Sequence, residues 1–282
     1  MNPQLVSVVV PTLNAASLIE RCLQSIAAQE YSPIELIVID GHSTDETVRL
    51  ARAFTSNVYL EGNGPPQRGV FSAPVQRNAG AARATGTFIY HVDADMVLPP
   101  GLIGECVDLL RDGSAHAVIV PERSFGAGYW ARIKAFERSF YSGDDLVEAP
   151  RFIRADVWRT LGGLDLSVGG NDDWDFHIRL QGHGYRVLRT RQEVLHNEGH
   201  LSLTRLAKKR YIYGRYSAVF IRKHGVGRAF DHYNPLRRYL SHKSRLAAHP
   251  FKTVGLIVMR TVEYGAGAAG MLAGPPANDL GG

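Results

Sequence analysis

The run VSVVVP at residues 6–11 decides the fold of this chain. A short valine-rich run that stops at a proline is typical of a fully buried strand. Apolar residues then recur at helical spacing over 18–26, and a second strand and a second helix are predicted over 34–39 and 47–54. With a third strand at 58–60, this alternation predicts an α/β fold built on a mostly parallel, Rossmann-like sheet flanked by helices.

Ligands of such sheets bind beyond the carboxyl ends of the strands, which here are Pro11, Asp40 and Glu61. A further strand over 88–92 runs directly into Asp93-Ala94-Asp95. Two carboxylates one residue apart at a strand exit can face one crevice, and hard divalent cations prefer such oxygen ligands. The triplet therefore indicates a metal site, although Asp is also common in ordinary turns.

The rest of the first 200 residues gives a less regular pattern. A Gly/Pro-rich segment over 62–75 is predicted to be a mobile loop. Helices are predicted at 75–84, 102–110 and 174–180, and strands at 117–120 and 185–188.

A second acidic cluster, Asn171-Asp172-Asp173-Trp174-Asp175, opens the predicted helix at 174–180. Asn and Asp are preferred at helix N-caps and in the first turn, so capping alone explains any one of them. Three carboxylates within four positions exceed what a cap needs, and their mutual repulsion favours a proton acceptor. The cluster is therefore interpreted either as a cap or as the source of a general base.

Three other features have a structural and a functional interpretation. His196 ends a short apolar run and is either a metal ligand or an ordinary core histidine. Arg77 lies on a predicted helix, where it could reach a diphosphate or simply be solvated. The stretch GAGAAG at 265–270 matches a dinucleotide-binding pattern literally, but no strand precedes it, so helix packing through small residues is predicted.

Composition restricts the class of protein. Among the 282 residues, 45% are hydrophobic and 21% are charged, which excludes a disordered chain. Cys22 and Cys106 cannot form a disulfide framework, and the first residues lack a basic signal-peptide region. A cytoplasmic location is therefore expected.

The formal charge of +5 conceals two opposite regions. Residues 1–200 carry −6, whereas residues 201–263 carry +12, with 14 Lys and Arg against Asp231 and Glu263. Basic helices with an apolar stripe (here Leu203, Leu206, Tyr213, Phe220 and His224) are either membrane-surface elements or solvated helices packed on a domain. The apolar run at 254–259 is interrupted by Arg260 and Glu263, which favours an interfacial or re-entrant helix over a spanning one.

Seven motifs, taken in order along residues 5–200, resemble the family 2 glycosyltransferases, which have the GT-A fold. They are VVVPTLN at 8–14, IDGHSTD at 39–45, RNAG at 77–80, DAD at 93–95, GGLD at 162–165, DDWD at 172–175 and His196. The chain departs from the family in having Asp172 where Glu is usual and His42 inserted in the usual Asp-Gly-Ser-Thr-Asp run.

The resemblance implies a role for each matched residue. The nucleoside of a nucleotide-sugar donor would lie against Pro11, Thr12, Asn14 and Asp40. The diphosphate would lie near Arg77 and Asn78, and Asp93 would touch the ribose or the metal. Asp95 and His196 would hold Mg²⁺ or Mn²⁺. Asp173 would be the general base, with Asp172 as the alternative.

The resemblance thus predicts an inverting, metal-dependent transfer of a sugar from a UDP-, GDP- or dTDP-sugar to an acceptor hydroxyl. Residues 1–200 would form the catalytic domain, with a donor half over 1–100 and an acceptor half over 101–200, and 201–282 a basic helical extension. The expected acceptor is part of a cell-envelope or lipid-linked glycan, such as a polyprenyl-linked one, reached by peripheral contact at the cytoplasmic face of a membrane.

Two other classes of protein remain as alternatives to a glycosyltransferase. One is a non-catalytic nucleotide-sugar or nucleic-acid-binding protein, and the other is a nucleotidyltransferase. The tail has no RNA-binding signature, so no nucleic-acid partner is expected. Residues 11–17 lack the phosphate-binding loop that a nucleotidyltransferase would need.

Overall fold

The computed structural model describes residues 3–61, 72–234 and 236–275. Most of the predicted loop over 62–75 lies outside these residues. The chain divides into two compact units, each treated separately below. The sheet unit comprises Met1–Glu122, Ala149–Leu166 and Asp175–His196, and the helical unit comprises Arg123–Glu148, Ser167–Trp174 and Asn197–Gly282. The division predicted at residue 200 stays a prediction.

The first part of the chain alternates strands and helices. Its elements are β1 (Val6–Thr12), α1 (Ile19–Ala27), β2 (Ile34–Asp40), α2 (Thr47–Ala51), β3 (Val58–Leu60), α3 (Ser72–Arg83), β4 (Phe88–His91), β5 (Met96–Val97), α4 (Leu102–Leu110), β6 (Ala117–Ile119), β7 (Glu122–Ala127) and α5 (Tyr129–Arg138).

Beyond these, the chain becomes mainly helical. The elements are β8 (Phe152–Arg154), α6 (Ala155–Leu161), a 3₁₀ segment (Leu166–Asn171), α7 (Asp172–Gly182), β9 (Val187–Arg189), β10 (Val194–His200), α8 (Leu203–His224), α9 (Val226–Tyr233), α10 (Leu236–Ser241), α11 (Lys243–Ala248) and α12 (Pro250–Ala273).

A seven-stranded sheet in the order β3-β2-β1-β4-β8-β6-β9 forms the centre of the sheet unit. Strands β3, β2, β1 and β4 are parallel, as predicted, and β8 runs antiparallel to both of its neighbours. A smaller sheet has the order β5-β10-β7. The predicted mostly parallel α/β architecture is confirmed.

The central position of β1 follows from its sequence. All seven of its residues are buried, as expected for a parallel strand covered by helices on both faces. Val8 and Val10 pack in one hydrophobic core, and Val9 packs in the core on the opposite face. A Cβ at Gly80 would lie 2.3 Å from Val9, so the glycine of the RNAG motif lets α3 pack directly on β1.

Among the elements that the sequence patterns missed are α5 and β7. Both belong to the region between residues 121 and 150, where apolar, aromatic and acidic residues alternate without a clear period. Helix α3 begins at Ser72, earlier than predicted, and β9 lies two residues beyond its predicted start.

Two long helices, α8 and α12, pack together in the helical unit. The close approach depends on glycine, since a Cβ at Gly214 would lie 2.1 Å from the carbonyl oxygen of Gly267. A Cβ at Gly270 would likewise lie 2.0 Å from the carbonyl oxygen of Tyr211. The prediction that GAGAAG at 265–270 packs helices is therefore confirmed.

The apolar stripe predicted on α8 turns inward. Leu206 and Phe220 are buried, Leu203 and Tyr213 are half-buried, and Gly225 ends the helix as a C-cap. Within the described ranges, no helix combines the length and the apolar character that crossing a membrane requires.

Candidate functional site

The acidic triplet lies where the sheet topology brings opposite charges together. Asp93 follows β4, and Arg151 immediately precedes β8, whose antiparallel pairing places Phe152 opposite Tyr90. Arg77 reaches the same carboxylate from α3. The Arg77 Nη2–Asp93 Oδ1 distance is 2.7 Å, and the Arg151 Nη1–Asp93 Oδ2 distance is 2.6 Å. Each carboxylate oxygen of Asp93 therefore accepts a hydrogen bond from an arginine guanidinium.

These two ion pairs determine the charge state of Asp93. Burial by itself raises the pKa of a carboxyl group, but here the positive charges of Arg151 and Arg77 outweigh it. They hold the pKa of Asp93 well below its usual range. The carboxylate is therefore ionised at neutral pH, and its charge is balanced by the two arginines.

Asp95 faces the imidazole of His196. His196 lies on β10, which pairs antiparallel with β5 so that His196 is opposite Met96. The His196 Nε2–Asp95 Oδ2 distance is 3.3 Å, and His196 Nδ1 donates to Glu122 Oε2 at 2.8 Å. In a neutral imidazole, that donation leaves the lone pair on Nε2, the atom that faces Asp95. Glu122 also pairs with Arg151 Nη2 at 3.3 Å, which links the two halves of the cluster.

The donor atoms at Asp95 and His196 fit a divalent cation that takes its remaining ligands from substrate. Asp95 Oδ1 is buried and has no hydrogen-bond partner among the described residues, an arrangement that is costly unless a ligand satisfies the oxygen. The described residues contain no group of three or more His, Cys, Asp and Glu side chains placed to hold a metal. Two protein ligands suffice for Mg²⁺ or Mn²⁺ when phosphates and waters complete the shell.

The residues predicted to meet the nucleoside lie in two loops at the carboxyl ends of β1 and β2. Ser43 donates from its backbone N and its Oγ to the two carboxylate oxygens of Asp40, which is fully buried. Asn14 donates its backbone N–H to Ser43 Oγ at 2.7 Å and accepts from the backbone N–H of Thr44 at 2.9 Å. The two loops are therefore tied into one wall.

Within this wall, Pro11 and Thr12 end β1 and are buried, and Thr12 Oγ1 has no hydrogen-bond partner among the described residues. The carbonyl oxygen of Thr12 accepts from Gly41 N and from Gln76 Nε2. Asn14 and His42 adopt a positive φ, 49° and 65° respectively, as residues in tight turns do. The inserted His42 is thus accommodated by a left-handed backbone.

Of the two predicted residues on α3, only Arg77 joins the charged cluster. The side-chain amide of Asn78 bonds both backbone groups of Leu164, donating to its carbonyl oxygen and accepting from its N–H, each at 2.9 Å. Asn78 therefore fixes the loop that carries the GGLD motif.

Asp172 and Asp173 are the first two residues of α7 and belong to the helical unit. Asp172 is buried and Asp173 is half-buried. The third carboxylate of the motif, Asp175, lies in the sheet unit, is fully buried and pairs with Arg179 Nε at 2.7 Å. That ion pair explains one of the three acids structurally.

Sequence reasoning missed three buried or half-buried residues of the site: Glu122, Arg151 and Gln76. Arg151 borders β8, whose antiparallel direction no local pattern reveals, and Glu122 joins the cluster through non-local ion pairs. The signal that could have found them is a charged residue directly beside a buried apolar strand. Gln76 precedes the RNAG motif, and its burial on α3 follows from helical spacing.

Comparisons with known proteins identify the family and the fold of this chain. Residues 7–152 match the family model described as glycosyl transferase family 2. Proteins described as PGL/p-HBAD biosynthesis glycosyltransferase in Mycobacterium bovis and Mycobacterium tuberculosis are 31% identical over 183 residues, spanning 61% of this chain and 68% of theirs.

Two solved structures share the fold. A mannosyltransferase from Pyrobaculum calidifontis in complex with GDP-Man and Mn²⁺ has a TM-score of 0.65 at 19% identity, over 96% of this chain and 88% of that one. Glucosyl-3-phosphoglycerate synthase from Mycobacterium tuberculosis, in complex with Mn²⁺, UDP and glucosyl-3-phosphoglycerate, has a TM-score of 0.56 at 20% identity, over 79% and 81% of the two chains. The chain belongs to glycosyl transferase family 2 and is a glycosyltransferase with the GT-A fold.

Proposed function

We propose that this glycosyltransferase is inverting and metal-dependent and transfers a sugar, such as a hexose, from a nucleotide-sugar to an acceptor hydroxyl. The observation that supports the proposal most is the pairing of Asp95 and His196, with the buried Asp95 Oδ1 lacking a partner among the described residues. The solved relatives that hold Mn²⁺ with GDP-Man or UDP are consistent with such a site.

In this proposal, the sheet unit binds the donor. The nucleoside lies against the wall formed by Pro11, Thr12, Asn14 and Asp40, and the diphosphate lies beside Asp95 and His196. When bound, Mg²⁺ or Mn²⁺ supplies positive charge that stabilises the nucleoside diphosphate as it leaves. Arg77 and Arg151 contribute by keeping Asp93 ionised and fixed.

Asp173 is the proposed general base because it occupies the position of the second acid of the family's Glu-Asp pair. Asp172 is the alternative. The acceptor hydroxyl gives its proton to the carboxylate as its oxygen attacks the anomeric carbon. The new C–O bond forms while the bond to the diphosphate breaks, and the diphosphate keeps the electron pair. A single displacement from the opposite face inverts the anomeric configuration.

The proposed acceptor is a cell-envelope or lipid-linked glycan met at the cytoplasmic face of a membrane. The support is the charge of residues 201–263, since a +12 segment favours an anionic surface. Family membership favours this transferase function over the nucleic-acid-binding and nucleotidyltransferase alternatives.

A thermal-shift screen of UDP-, GDP- and dTDP-sugars with Mn²⁺ tests the donor, since a ligand that binds only the folded state raises the melting temperature. Asp173→Asn then tests the base. We expect transfer to fall at least about 10²-fold while binding of the donor survives. Asp172→Asn is the matched control, and full turnover by Asp173→Asn contradicts the assignment.

A further inference from the structure

Helix α12 in the helical unit turns Arg260 and Glu263 inward. Arg260 Nη1 lies 2.9 Å from Glu263 Oε2 and 3.0 Å from Glu137 Oε1. Glu263 is 3% exposed and also pairs with Lys134 and Arg210. The two charges that interrupt the apolar sequence of this helix therefore belong to its buried face.

The opposite face of α12 is apolar and exposed to solvent. Between residues 254 and 272, a stretch that the structure describes in full, none of the exposed residues carries a charge. We define the α12 stripe as Phe251, Val254, Ile257, Val258, Tyr264 and Leu272, with exposures of 85%, 61%, 61%, 42%, 44% and 91%. At 1.5 Å per residue, it extends for about 32 Å.

An exposed apolar surface of this length on a helix marks a site of contact with another molecule or a membrane. The spacing of three and four residues from Phe251 through Val254 to Val258 places the side chains on one side of the helix. The apolar stripe of α8, by contrast, consists of side chains that are buried or half-buried within the helical unit.

The charge of the helical unit indicates what covers the α12 stripe. Among residues 201–234 and 238–275, the exposed basic side chains are Arg205, Lys208, Lys209, Arg222, Lys223, Arg228, Lys243, Arg245 and Lys252. Asp231 is the one exposed acid in the same two ranges, because Glu263 is buried. Exposed apolar side chains on a strongly basic unit match an anionic bilayer, which offers hydrocarbon and negative headgroups together.

We propose that the α12 stripe lies in the interfacial plane of a bilayer that contains anionic lipid. The inference rests on the proposed function and deepens it by naming the surface that reaches the membrane. A second copy of the chain is disfavoured as the occupant because a two-fold contact through the stripe would bring two like-charged units together.

Flotation of the full-length protein with vesicles tests the proposal. We expect binding to vesicles of phosphatidylcholine with 30% phosphatidylglycerol, binding at least about tenfold weaker to phosphatidylcholine alone, and a decrease with salt. The triple variant Phe251→Gln, Val254→Gln, Ile257→Gln should lose binding to the anionic vesicles by about 100-fold. Glutamine adds no charge, so this variant isolates the apolar contact.

Two controls separate the contact from general effects. Leucine at the same three positions should keep the vesicle binding, and Leu60→Gln makes the same kind of exchange at an exposed residue of the sheet unit. Circular dichroism checks that each variant is folded. Failure of the unaltered protein to float, or unchanged flotation of the glutamine variant, overturns the proposal. A dimer in solution that the glutamine variant dissociates, with vesicle binding unchanged, also overturns it.

The donor provides an independent measurement. Binding of the nucleotide-sugar with Mn²⁺ should be the same in the glutamine variant and the unaltered protein. If the vesicles bind and no nucleotide-sugar does, the proposed transferase chemistry fails and the membrane surface stands. If the donor binds and the vesicles do not, the membrane surface fails and the proposed donor binding stands.

Discussion

Each unit of this glycosyltransferase contains a cluster of buried or half-buried charges, and the two clusters differ in how completely they are paired. In the helical unit, all four carboxylate oxygens of Glu137 and Glu263 have basic or hydroxyl partners among Lys134, Arg210, Arg260, Tyr141 and Tyr239. In the sheet unit, Asp95 Oδ1 is buried and has no hydrogen-bond partner among the described residues.

This difference in the pairing of carboxylate oxygens indicates a structural role for the cluster in the helical unit and a ligand-binding role, as proposed above, for Asp95. The pairing of every carboxylate oxygen offsets the cost of desolvating the two glutamates, and the ion pairs join α5, α8 and α12. An unsatisfied carboxylate oxygen costs stability and is retained where a ligand will use it. The solvent exposure of the carboxylates differs in the same way. Glu137 and Glu263 are 0% and 3% exposed, whereas the Asp95 side chain is 34% exposed.

The largest effect is expected for Asp95→Asn. Loss of this proposed metal ligand should weaken Mn²⁺-dependent binding of the nucleotide by about 10³-fold, with little change in the free energy of unfolding. Titration calorimetry with and without Mn²⁺ measures the first quantity, and urea unfolding measures the second. An unchanged metal titration would exclude Asp95 as a ligand.

Glu137→Gln should have the opposite profile. Removing the fully buried carboxylate of this ion cluster leaves Lys134 and Arg260 incompletely paired, and we expect a loss of about 3 kcal/mol in the free energy of unfolding. The affinity for the nucleotide should be preserved. The matched control is Asp108→Asn, which removes the exposed ion pair with Arg111 and should cost under about 1 kcal/mol. Equal effects of the two substitutions would break the comparison.

Glu122→Gln sharpens the comparison because Glu122 positions His196 without being proposed as a ligand. We expect Mn²⁺ affinity to fall by about 10- to 100-fold, since the orientation and basicity of the imidazole depend on this carboxylate. Glu122→Asp should restore part of the affinity. If both variants bind Mn²⁺ like the unaltered protein, the orienting role is wrong.

The smallest effect concerns acid. Burial raises the pKa of Glu137 and Glu263, but the positive charges of Lys134, Arg260 and Arg210 outweigh it and lower both below the usual 4.5. A lowered pKa in the folded state contributes stability above pH 4.5 that is lost as the pH falls toward the folded values. We expect the free energy of unfolding to decrease by about 2 kcal/mol between pH 5 and pH 3. Urea unfolding at each pH measures it, and Glu137→Gln should flatten the decrease.

Local sequence patterns predicted several elements of the fold and the residues at the ends of its parallel strands. The strands at 6–12, 34–40 and 88–91 and the helix at 102–110 were evident, because buried strands are short and apolar and amphipathic helices repeat every three to four residues. They placed Thr12, Asp40 and Asp93 at strand ends. They also predicted that the glycines of 265–270 pack helices.

The sequence by itself therefore determined the parallel part of the sheet, the strand-end carboxylates and the basic character of the tail. The tertiary structure alone decided that Arg151 and Glu122 join the site, since this depends on the antiparallel β8 and on non-local ion pairs. It also decided which face of α12 is buried. Hydropathy measures how apolar a helix is, but the partners of Arg260 and Glu263 come from residues 134, 137 and 210, far away in the chain.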